Sequence, residues 1–227
     1  MQKKKAFLPV RVAAAVLVAV LVISASVTAT LFDRGAYSRM QEKLKLPEAI
    51  GISETEILDN YNALIDYNSV FYPEPLQFPT FLMSEAGRTH FEEVKAIFSF
   101  FQVALIISAV TSAMCCFVLI RNRHFSFLAA GGVLSLVIPS VVVIVMAAVG
   151  WERFFIMFHE IFFNNDFWVF DAQTDPVILI LPDAFFLNCL MRIISGIVIS
   201  AVLLILIFNT KTLDFFRKII KKNTFRY

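Results

Sequence analysis

The chain has 227 residues, 59% of them hydrophobic and only 17% charged, with a net charge of +2. Soluble domains run at about 45–50% and about 25%. So few polar residues cannot build a water-facing surface, which excludes disorder, collagen, coiled coil and an ordinary soluble domain. The small net charge, with no basic–aromatic interleaving, argues against nucleic acid as a partner.

A bilayer core of about 30 Å needs roughly 20 apolar residues as helix. Runs free of Asp, Glu, Lys, Arg and His lie between Arg11 and Asp33, Lys95 and Arg121, and His124 and Glu152, with a last run from Arg192 to Lys211. They predict transmembrane helices over 12–32, 96–120, 125–151 and 184–210. The expected fold class is an all-α integral membrane protein with four transmembrane helices. Its small extracytoplasmic cap is made of the first and third connections, 33–95 and 152–183. Pro139 lacks a backbone donor and is expected to kink the third helix. The first helix is read as retained, because its apolar run exceeds the core of a cleaved signal peptide.

The N-terminus 1–11, the turn 121–124 and the tail 211–227 hold 12 basic residues against one acid, Asp214. The two long connections hold 17 acids and 7 basic residues. The positive-inside rule then puts both termini in the cytoplasm and the long connections outside. His124 falls in the cytoplasmic turn and reads as a topology or headgroup residue.

In the first outer segment, Ser53-Glu54-Thr55-Glu56 forms a capping box. Ile57, Leu58, Tyr61, Leu64 and Ile65 come next, on one helical face. This predicts a short amphipathic helix resting on the membrane surface or on the other outer segment. Pro73, Pro75 and Pro79 keep the chain beyond that helix irregular. Thr89-His90-Phe91-Glu92 reads as a second capping box, with His90 in the first turn of the second span. A helix N-terminus disfavours added positive charge there.

The second outer segment, Trp151 to Phe163, is too aromatic for a solvated loop. Asn164-Asn165-Asp166 is a turn signal, and Asp175-Pro176 reads as an N-cap with Pro at N1. Two of the chain's three His residues, His90 and His159, therefore lie on the outer side beside acids and in apolar surroundings. Paired imidazoles suit acyl transfer, one taking a proton from the nucleophile and the other serving the departing oxygen. Interfacial hydrogen bonding and metal ligation remain open for the same two residues. Cys115, Cys116 and Cys189 lie in spans and away from disulfide spacing, which disfavours a thiol oxidoreductase. Arg192, the one charge inside the fourth span, is expected to pair with Asp183, snorkel outward or contact a lipid oxygen.

The order Glu85-x4-His90-x3-Val94-Lys95, then Phe158-His159-x2-Phe162-Phe163-x4-Trp168-x-Phe170, Asp175 and Val177 to Phe186 resembles the bacterial lipoprotein intramolecular transacylase family over about residues 10–210. The resemblance implies a cell-membrane acyltransferase that needs no cofactor and no metal. It would move the sn-2 acyl chain of a diacylglyceryl-Cys lipoprotein to the α-amine of the same Cys, giving the lyso form. The implied partners are diacylated bacterial lipoproteins and membrane lipid. His90 and His159 are the implied catalytic pair on the extracytoplasmic face; the more apolar surroundings of His159 favour it as base. Glu85, Glu93, Glu160, Asp166, Trp168, Asp175 and Arg192 are candidates for holding substrate. A lipid or lipoprotein hydrolase, or a non-enzymatic envelope protein such as a transporter subunit or chaperone, are the competing readings.

Overall fold

The computed structural model describes residues 8–121 and 125–209. The basic residues Lys3 to Lys5, Arg123, His124 and the tail from Lys211 lie outside the described residues. Among those described, the chain is all-helical: α1 Leu8–Leu31, α2 Arg34–Leu44, α3 Leu46–Ile50, α4 Glu54–Tyr67, α5 Glu85–Arg121, α6 Ser126–Ser135, α7 Val137–Val149, α8 Trp151–Phe162, α9 Val177–Ile180 and α10 Asp183–Phe208. Four stretches are long and apolar enough to cross a membrane: α1, most of α5, α6 with α7, and α10. The helix α5 has 37 residues, about 55 Å at 1.5 Å per residue, and so outruns the hydrocarbon core.

The chain divides into two compact units. The described part of one contains residues 8–26, 104–121, 125–142 and 194–209. Its core is Ala14, Ala15, Val18, Phe127 and Leu128. Small residues allow helices to approach closely where the hydrophobic effect gives no drive for association. A Cβ at Gly131 would meet Val18 Cβ at 2.6 Å, and one at Gly132 would meet the Ala201 carbonyl at 3.0 Å. The glycine pair therefore seats α6 against α1 and α10. Arg11 donates to Ser126 Oγ. The third span is interrupted at Leu136, three residues before Pro139. Proline cannot donate to the carbonyl four residues back, so the ladder weakens one turn upstream of the ring.

The second unit contains residues 27–103 and 143–193. In α4, Ser53 Oγ accepts the Glu56 N–H at 3.2 Å, as the capping box requires. Glu56 does not return the bond; its carboxylate accepts from the Thr80 hydroxyl instead. Ile57, Tyr61, Leu64 and Ile65 are buried together with Val177 and Ile180 of α9. The amphipathic helix thus packs on the other long connection. Burying four such side chains contributes on the order of 1.5–3 kcal/mol each before ordering entropy is subtracted. Tyr37 of α2 stacks on Tyr61 at 3.5 Å and donates to the Ile180 carbonyl at 2.8 Å. The proline-rich stretch after α4 is irregular, as expected, and α5 holds its start. Gln102 Nε2 donates to the Asn68 carbonyl, its Oε1 accepts the Val70 N–H, and Lys95 Nζ donates to the Tyr72 carbonyl.

Gly150, at φ +81°, ends the third span. That conformation favours glycine, and Trp151 accordingly opens α8 instead of closing the span as the composition suggested.

Candidate active site

The helix that carries His90 begins at Glu85, earlier than its sequence suggests. Ser84 is the residue at its start: its Oγ accepts the Gly87 N–H and its carbonyl accepts the Arg88 N–H, each at 2.9 Å. Thr89 lies inside the helix with its hydroxyl on the Glu85 carbonyl. The second capping box is therefore not formed, and His90 stands in the second turn. Asp175 does not cap its own short helix with its side chain. Its Oδ1 accepts the Ser84 N–H at 2.8 Å and its Oδ2 accepts the Thr174 hydroxyl at 2.8 Å. This carboxylate is 3% exposed and lies across Gly87, where a Cβ would come within 2.2 Å of Oδ1.

One turn along α5, the His90 ring is 6% exposed. Phe163 and Phe170 present edges to it at 4.7 and 5.4 Å. His159 lies in the last turn of α8 and is 9% exposed. Its ring stacks on Trp168 at 4.5 Å and packs on Phe155 at 4.3 Å. Phe163 touches this ring too, at 5.5 Å. The two imidazole centroids are 6.1 Å apart. That spacing lets one small group of a substrate lie within reach of both.

His159 Nδ1 is 2.8 Å from the Phe155 carbonyl. A carbonyl only accepts, so Nδ1 carries the proton in the neutral ring and Nε2 holds the free lone pair. Burial pushes His159 below its usual 6.5, opposed in part by that carbonyl bond. The ring is thus a neutral acceptor at physiological pH, in surroundings that exclude water.

The other predicted residues separate. Trp168 is in direct contact with His159. Glu93, half-buried on α5, accepts from Asn165 Nδ2 at 2.9 Å through Oε1. Glu85 is exposed and pairs with Arg88 at 3.8 Å. Glu160 and Asp166 are exposed as well. Arg192 pairs with Asp33, not with Asp183. Asp183 accepts instead from Trp151 Nε1 at 2.7 Å. Asp33 Oδ1 also caps α2 through the Ala36 N–H at 3.0 Å. Asp33 and Asn165 were not singled out for this site by the sequence; Asn165 was visible there only as a turn residue. Among the described residues no three His, Cys, Asp or Glu side chains are placed to hold a metal ion.

The fold and site define a four-span helical membrane protein with a buried imidazole pair in an aromatic enclosure. The description "lipoprotein intramolecular transacylase Lit" matches residues 12–186. The chain belongs to that family and is an acyltransferase. A solved structure of the membrane-integral lipoprotein intramolecular transacylase Lit from Bacillus cereus is similar at TM-score 0.81 and 28% identity, over 95% of this chain and 96% of that one. Histidine-to-arginine and histidine-to-alanine variants of the same Bacillus cereus protein match at 0.81 and 26%. They cover 99% and 98% of this chain, and 96% and 97% of their own. Comparison with curated proteins gives no match.

Proposed function

We propose that this chain transfers the sn-2 acyl group of a diacylglyceryl-Cys lipoprotein to the α-amine of that Cys, with His90 and His159 as the catalytic pair. The observation that carries the reading is the pair of buried imidazoles 6.1 Å apart, one with its Nε2 lone pair left free. An α-amine near pKa 8 must lose a proton to complete attack on an ester. His159 Nε2 takes it as the N–C bond forms. The protonated His159 then passes that proton to the glycerol oxygen as the C–O bond breaks, while His90, held neutral because burial and the nearby His159 push it down to about 4, orients the carbonyl through its N–H. The amine's proton ends on the glycerol hydroxyl, so no water or external acyl donor is consumed. Both reactants belong to one molecule, and the enzyme need only hold them in attack geometry. The Phe and Trp side chains around the rings keep out water that would hydrolyse the ester. The charge bias of the connections supports cytoplasmic termini and an outward-facing site.

Mass spectrometry of lipoprotein N-termini, from a host otherwise making diacyl forms, tests the proposal. Lyso-form peptides are expected with the wild type and lost with His90→Ala or His159→Ala. Unchanged lipid patterns with the wild type refute it; free fatty acid in place of the amide indicates a hydrolase.

A further inference from the structure

We propose that Glu93 receives the primary amine of the substrate and selects lipoproteins whose terminal amine is free; the inference rests on the transacylase reading above. Glu93 lies three residues after His90 on α5, and residues three apart share a helix face. Its Oε1 is held by Asn165 Nδ2. Its Oε2 is buried without a hydrogen-bond partner, as is Nδ1 of the 6% exposed His90. Buried polar atoms are nearly always paired, and an unpaired carboxylate oxygen is among the more costly exceptions. Two such atoms on one face of one helix therefore mark a place where polar atoms of another molecule belong.

The surroundings say which atoms. Asn165 lies two residues beyond Phe163, the ring that touches both imidazoles. Its Oδ1 accepts the Phe167 N–H, next to the Trp168 that stacks on His159. The carboxylate is thereby tied to the loop that flanks the base. An acceptor with negative charge takes an N–H donor, and the amine is the substrate's group of that kind. During attack the N–C bond forms and the nitrogen becomes positive before its proton passes to His159 Nε2. A fixed carboxylate stabilises that charge more than it stabilises the neutral amine, which lowers the barrier. Glu93 exchanges no atoms with the substrate. An N-acylated product has lost the charge, so its release is favoured.

Ether analogues of the diacylglyceryl-Cys peptide cannot react and report binding alone. Wild type is expected to bind the free-amine analogue at least tenfold more tightly than its N-acetyl counterpart. In Glu93→Gln the amide oxygen still accepts from Asn165, yet the ratio falls to about one, with affinity for the N-acetyl analogue unchanged. Retention of the tenfold ratio in Glu93→Gln overturns the proposal. Asn165→Ala removes the same hydrogen bond but leaves the carboxylate, and must keep at least a fivefold preference; its loss there overturns the proposal as well. A wild type that makes no lyso form refutes the transacylase reading, whereas these binding ratios test Glu93 separately.

Discussion

Gly87→Ala places a methyl group where the structure has none to spare. The new Cβ would stand 2.2 Å from Asp175 Oδ1 and 3.1 Å from its Cγ. The carboxyl group must withdraw, which breaks the 2.8 Å bond from the Ser84 N–H. A hydrogen bond to a charged group contributes about 1.5–3 kcal/mol, and overpacking adds about 1–3 kcal/mol. Discounting for partial relaxation, the expected loss is about 2–4 kcal/mol. For a chain of this length that corresponds to a fall of roughly 10 °C in the melting temperature. Thermal unfolding in detergent followed by intrinsic Trp fluorescence measures it, since Trp168 reports on the ring around His159. Asp175→Ser in the Gly87→Ala background removes the clashing oxygen and should recover part of the loss. A shift below about 3 °C for Gly87→Ala would show that the start of α5 is not clamped as described.

Beyond the substrate amine's own limb at about pH 8, kcat/KM should show a second acid limb below pH 6.5, because burial holds His159 under its usual value, and Trp168→Ala should raise that second limb towards 6.5 by admitting water. The unfolded chain binds the His159 proton more readily than the fold does, so stability should fall as the pH drops through 6.5; a constant melting temperature from pH 7.5 to 5.5 contradicts this. Asp33→Asn and Arg192→Ala should each cost roughly 1 kcal/mol, since the pair is about one-third exposed, and the double variant should cost clearly less than the sum. Gly131→Ala should destabilise by about 1–3 kcal/mol through contact with Val18, and Val18→Ala should relieve it; equal melting temperatures for wild type and Gly131→Ala would refute the close approach.

Much of the site was legible because its signals are short-range. His90 and His159, the aromatic run around His159 and the apolar face of α4 are all read from order and periodicity. The failures share one physical origin. Thr89 and Ser84 are both sound caps locally, and only the tertiary contact with Asp175 selects Ser84. Asp175 before Pro176 has the local chemistry of an N-cap, but its carboxylate is taken by another helix. Asp183 is nearer to Arg192 in sequence than Asp33, which is 159 residues away and yet its partner.

Taken alone, the sequence determined that the chain is a four-span membrane protein and that His90 and His159 sit in apolar stretches of the long connections. Those properties depend on composition and on neighbours within a turn or two. The tertiary structure decided which carboxylate meets which donor, that the two imidazoles lie 6.1 Å apart, and which nitrogen of His159 stays free. Such pairings join residues tens of positions apart, and no local periodicity encodes a contact made only when the long connections pack together.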